Sequence, residues 1–254
     1  MNRTGTGDPR KTLELLWREW TDTPKRRGPN PRFTIDDILQ AAVRIADDGG
    51  IDALSMRAIA TELNVGTMSL YRHVPGKPEL IDLLVDHIDT EGDELPDTST
   101  MNWRDVLEIL ARHTLAQYRR HPWLLDIVQH RPVFGPRTMT SFDFALAAFD
   151  DHDIPERQRM MVITAVVGLA ESIARAYMPE DPYGDKSAQS TEQQWWDINV
   201  PYLTMVWESG HYSRVSRLTD DSTWEVTGEE ALEFSINGLL NGFAPLFGDR
   251  PTMT

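Results

Sequence analysis

The chain reads as all-α, with a small helical head followed by a larger helical domain. Three observations carry this. Apolar residues recur at helical spacing in segment after segment, good N-cap residues stand ahead of several of them, and no stretch alternates with period two over several strands. The breaker-bearing acidic stretch EGDELPDTSTMN (91–102) marks the boundary between the two parts. The expected division is a flexible extension over 1–32, the head over 33–90 and the larger domain over 91–254.

Within the extension, LELLWREW (13–20) has the length for two helical turns, and the breaker-rich TPKRRGPNP after it predicts a mobile connection. Order is expected from FTIDDILQAAVRIADDGG onward. Thr34 is an N-cap, Asp36 and Asp37 suit the positive end of the helix dipole, and Phe33 can staple onto Ile38. Ile38, Ala42, Ile45 and Ala46 keep helical spacing until Gly49-Gly50 stops the helix. A second helix starts at the N-cap Ser55 and reaches Leu63. After the turn NVG, a third begins near Thr67 and ends before Pro75-Gly76. A fourth spans 77–89 with Pro78 in its first turn, where proline is tolerated. Further helices are expected over 103–120, 122–130, 137–150, 155–178, 195–209 and 229–247, with 179–193 a surface loop.

Composition narrows the function. The 254 residues contain no cysteine, which removes disulfides and thiolate chemistry and fits a reducing cytoplasm. No secretory h-region opens the chain, and the longest apolar run, MMVITAVVGLA (160–170), is far short of the roughly 20 residues that cross a bilayer. A cytoplasmic protein with no membrane partner is expected. The net charge of -15 would argue against a phosphate partner, but it is unevenly placed: 12 Lys+Arg stand against 11 Asp+Glu up to residue 80, and 13 against 29 beyond it. The first 80 residues, which hold the helix-turn-helix stretch, are therefore nearly neutral, and KRRGPNPR (25–32) precedes the first strongly periodic segment.

Two short helices joined by a three-residue turn, after a longer first helix, describe a helix-turn-helix. In the third helix, residues four apart share a face, giving the rows Leu70/Val74, Thr67/Tyr71, Met68/Arg72 and Ser69/His73. Only the first is fully aliphatic, and it can pack on Ile59, Leu63 and Val65. The other rows offer the chemistry of a DNA reader. Arg72 can reach guanine edges, and Thr67 and Met68 can touch bases or a thymine methyl. Ser69, Tyr71, His73 and Lys77 suit phosphates, while Ser55 and Arg57 would approach the backbone.

These residues carry a resemblance. ILQAAVRIADDGGIDALSMRAIATELNV and SLYRHVPGKPELIDLL resemble the DNA-binding domain of the Tet repressor family of bacterial transcription regulators. The likeness continues through YRRHPWLLDIVQHRPVFGPR and VVGLAESIARA, which look like the family's ligand-binding half. It implies that Ser55, Met56 and Arg57 match second-helix contact positions, and that Thr67, Met68, Ser69, Tyr71, Arg72, His73 and Lys77 match recognition-helix contacts. It also implies a homodimer, a small-molecule effector, a double-stranded operator and, by family habit, repression.

The long apolar segments 155–178 and 229–247 are the expected dimer helices, with Gly238 and Gly242 allowing close approach. For the effector pocket the candidates are His87 and Trp123 foremost, with Trp103, His113 and Phe134. No cofactor or metal is expected, and tetracycline's magnesium is not carried over. An enzyme is the rival class, but H-E-x-x-H, P-loop and G-x-S-x-G motifs are all missing from the sequence. The cluster DDHD (150–153) reads as a capping, solvated loop at a helix end. A helical protein-interaction module that no longer binds DNA is the other rival.

Overall fold

The computed structural model describes residues 2–20, 33–90, 95–129, 131–178, 188–218 and 225–248. In chain order it contains β1 (Asn2–Arg3), α1 (Pro9–Leu16), α2 (Ile35–Ala53), α3 (Met56–Glu62), α4 (Thr67–Leu70), α5 (Lys77–Asp89), α6 (Trp103–Arg120), β2 (Ile127–Val128), α7 (Pro136–Leu146), α8 (Glu156–Ala176), α9 (Ala188–Glu208) and α10 (Gly228–Phe243). The fold is all-α apart from the two-residue parallel pair of β1 and β2.

Local chemistry explains the head. Thr34 and Asp37 form a reciprocal capping box, which holds the Asp37 carboxyl below its usual range through bonds from the Thr34 amide and hydroxyl. The helix breaks at Gly49-Gly50, where Gly50 has φ +74°, a left-handed conformation open to glycine at little cost. Ser55 caps α3 by accepting from the Ala58 amide. The turn into α4 passes through Asn64 at φ +52°, a conformation that asparagine tolerates well. Ile38, Ile59, Leu70, Val74 and Leu80 are fully buried and form the head's core.

In the larger domain α6 packs on α8, α8 on α10, and α7 on α5. Two attachments fix the head to this body. Asp47 of α2 accepts from Trp123 Nε1 at 2.7 Å and from His121 Nδ1 at 2.8 Å. The second is α5 itself: its buried Asp86 accepts the Thr138 amide of α7, while its buried Glu79 and Asp82 accept the Asp8 and Gly5 amides of the N-terminal segment.

Three expectations need correction. The stretch 1–32 is not a wholly flexible appendage: residues 2–20 pair with β2, form α1 on α5, and send Trp17 Nε1 to the Phe134 carbonyl at 2.9 Å. Residues 21–32 lie outside the described residues. The stretch 122–130 is not an α-helix. It makes one 3₁₀ turn over 122–126 and then becomes β2, because residues 127–128 give their backbone bonds to the chain's N-terminal strand. The surface loop set at 179–193 is shorter than that, since α9 begins at Ala188; residues 179–187 lie outside the described set.

Candidate nucleic-acid interface and binding cavity

The α3–turn–α4 unit buries one row and presents the others. Leu70 and Val74 are completely buried, while Met68, Tyr71 and Arg72 are exposed and Thr67, Ser69, His73 and Lys77 are partly so. Met68 stands 76% exposed, which leaves its thioether open to a partner. Arg72 donates to Ser69 Oγ at 3.2 Å, which steadies the guanidinium over the exposed face. His73 leans on the Phe33 ring with centroids 4.8 Å apart. Burial and, secondarily, the neighbouring Arg72 charge hold its pKa below the usual histidine value, so its ring is neutral at pH 7 and can donate one N–H. Ser55 and Arg57 are exposed at the start of α3.

Two of the expected contacts are placed differently. Met56 is 6% exposed and belongs to the head's core, so it cannot reach a partner surface. The position is the first turn of α3, where one face turns inward beside Ile59 and Ala60. Lys77 is not simply a free cation: its Nζ donates to the Ile51 carbonyl at 3.0 Å, tying the start of α5 to the end of α2 and leaving other N–H groups available.

A cavity of about 230 Å³ lies between α5, α6, α7 and α8. Its walls are largely apolar, from residues such as Val85, Leu110, Phe142 and Ile163. A polar cluster stands at the end of α5. His113 Nε2 donates to the Asp89 carbonyl at 2.9 Å, and Gln117 Nε2 donates to the Ile88 and Asp89 carbonyls at 3.2 and 2.5 Å. These donors satisfy carbonyls that a helix C-terminus leaves without intrahelical partners. The Asp89 Oδ2, Thr138 Oγ1 and Ser141 Oγ atoms are buried with no hydrogen-bond partner among the described residues. Burial raises the Asp89 pKa above its usual value, against Gln117, Ser141 and the His113 charge; Ser141 favours the carboxylate while standing short of hydrogen-bond geometry. Burial likewise pushes the Tyr118 phenol of the same wall up to about 12.

Of the five candidates from sequence, only His113 lines this cavity. Phe134 faces a second, smaller recess beneath α1, and His87 a third, polar one with Arg18 and Arg137. Trp123 is fully buried and spends its N–H on Asp47. Trp103 is stacked on Phe247 at 3.9 Å with the Arg104 guanidinium over its ring, closing the far end of the core. Large aromatic surface made these residues attractive as ligand groups, and the same surface makes them core. Asp89, Gln117, Thr138 and Ser141 were not singled out in the sequence. The available signal was His113 and Gln117, four apart on a face that is otherwise apolar. In the DDHD cluster, His152 sets its ring edge against Phe247 at 4.9 Å.

The outer faces of α8 and α10 are bare. Phe234 is 84% exposed, and a Cβ added at Gly168, Gly238 or Gly242 would meet nothing within 4 Å. Among the described residues no helix is long and apolar enough to cross a membrane.

A helix-turn-helix head joined to a helical body with a half-open cavity defines a helix-turn-helix regulator, and comparison with known proteins gives the family. Residues 38–84 match the model described as bacterial regulatory proteins, tetR family, and residues 95–246 match that of the tetracyclin repressor-like C-terminal domain. The chain belongs to the TetR family of transcriptional regulators. It is 40% identical over 249 residues to the HTH-type transcriptional repressor DrrR1 of Streptomyces coeruleorubidus, spanning 97% of this chain and 90% of that one. Among solved structures, apo ActR from Streptomyces coelicolor superposes with a TM-score of 0.64 at 22% identity, covering 85% of this chain and 99% of ActR. ActR in complex with actinorhodin gives 0.65 at 20% identity, covering 87% and 100%. At that identity the likeness speaks for the fold.

Proposed function

We propose that the chain is a ligand-responsive repressor that binds a pseudo-palindromic operator as a cytoplasmic homodimer, a regulator with no reaction of its own. The observation that carries this reading is α5. Its first residue, Lys77, is tied into the head, and its last, Asp89, stands in the cavity wall. Thirteen residues at about 1.5 Å each make one rigid strut of roughly 20 Å between reading face and cavity. An occupant that shifts the Asp89 end moves the head with it. Ligand binding therefore favours dimers whose heads are spaced wrongly for successive major grooves.

On the reading face, Arg72, Met68 and Thr67 meet base edges, while Ser55, Arg57, Ser69, Tyr71, His73 and the remaining N–H groups of Lys77 meet phosphates. The bare faces of α8 and α10 form the dimer seam, where glycines let helices approach closely. DrrR1, a repressor by name and similar along nearly the whole chain, supports the sign of regulation.

Selection of bound duplexes from a random-sequence pool, followed by mobility-shift titration, tests this. An enriched inverted repeat, bound with an affinity that falls steeply with salt, is the expected result. No enrichment, or retardation indifferent to sequence, contradicts it.

A further inference from the structure

We propose that the cavity selects an effector bearing a primary ammonium group on an apolar, preferably aromatic, body, and that Asp89 Oδ2 is its anchor. The inference rests on the ligand-responsive reading above and names the chemical class that the same cavity takes.

Asp89 Oδ2 is buried without a hydrogen-bond partner among the described residues, and so are the Thr138 and Ser141 hydroxyls, which can each donate or accept. His113 and Gln117 donate to the end of α5, and the Thr114 hydroxyl donates to the Leu110 carbonyl at 2.8 Å. A buried polar group without a partner is costly, so a built cluster of three points to a missing occupant. The ionised carboxyl can only accept, so an occupant paired with it must bring a donor, while the two hydroxyls suit donors and acceptors alike. An ammonium supplies three N–H donors and the opposite charge; a hydroxyl supplies one donor, and a carboxylate or phosphate none. The only Lys or Arg in the described lining, Arg131, is exposed and sends Nη1 to the Gly5 carbonyl at 3.4 Å, and His113 spends its Nε2 on the Asp89 carbonyl rather than the carboxylate. The remaining walls, including Leu110, Phe142 and Ile163, would enclose the apolar body. A molecule held this way pulls on the last residue of α5.

The test uses the full chain and three pairs of probes that share a skeleton: naphthylmethylamine with naphthalenemethanol, tryptamine with tryptophol, and biphenylmethylamine with biphenylmethanol. Calorimetric titration near pH 7 is expected to show at least one amine binding about tenfold or more tighter than its alcohol. In Asp89→Asn that preference should vanish while the alcohol's affinity is kept, which reports an intact cavity. If Asp89→Asn does not fold, Thr138→Val with Ser141→Ala should reduce the preference severalfold. Equal affinities within every pair, a preference that survives Asp89→Asn, or no binding of any amine overturns the proposal. Release from operator DNA is scored separately. Amine binding without release supports the present inference and counts against the ligand-responsive reading, whereas release by the alcohols alone does the reverse.

Discussion

Some side chains stand exposed where a contact is expected of them, and others are withdrawn into the core. Arg72 is exposed at the centre of the candidate reading face and steadied by Ser69. Its replacement by alanine should cost about 1–3 kcal/mol on the selected operator and flatten discrimination among sequences, measured by competition mobility shifts. Retained preference would mean that α4 is not the reader. Met56 matches a contact position by resemblance, yet it is buried. Met56→Leu, a volume-conserving change, should therefore leave operator affinity intact and cost less than about 1.5 kcal/mol of stability, whereas a contact role predicts weaker binding and unchanged melting. Sequence spacing recovered the exposed rows of α4 because a short helix with one aliphatic row has only one way to pack. It missed Met56 because a thioether suits a core and a surface equally. Asp89 escaped notice because its significance comes from α6 and α7, far away in sequence. Burial raises its pKa from 3.8, so ionisation costs stability in full above the raised value and nothing below the ordinary one. Asp89→Asn should thus melt higher than the parent at pH 7, the gain shrinking as pH falls toward 3.8. A difference independent of pH contradicts this.

Helices were legible where caps and periodicity agreed. The fourth helix was expected over 77–89 and is found there, because Pro78 fixes its start and apolar spacing carries it to Asp89. Segments whose structure comes from distant partners were not legible. β2 exists because β1 pairs with it, and α1 is held by carboxylates of α5 more than seventy residues away. Glu79 and Asp82 are nearly fully buried and accept the Asp8 and Gly5 amides. Deleting residues 1–20 removes these partners along with the α1 packing. The truncated chain should lose about 2 kcal/mol, a fall of roughly 4–8 °C in a thermal melt. An unchanged melt would mean that the segment does not dock on α5.

Across the whole molecule, charge and exposed apolar surface are partitioned by task. Basic and acidic residues nearly balance over the first 80 residues and the net acidity lies beyond them, which is why whole-chain charge says little about a phosphate partner. The glycines of α10 give a test of assembly. Within one chain, Gly238 and Gly242 have open space where a side chain would go, so leucine at both should strengthen the helix, by about 1 kcal/mol each from helix propensity. Across a close dimer seam the same side chains would collide. The double variant should sediment as a monomer and bind the operator at least tenfold more weakly; an intact dimer would place the seam elsewhere. The most direct test of the central claim is a hydroxyl-radical footprint of the full chain on its selected operator. A homodimer reading with two α4 helices predicts two symmetric protected patches on one face of the duplex, centred one helical turn, roughly 34–36 Å, or a whole multiple apart. A single patch, or protection without symmetry, would contradict it.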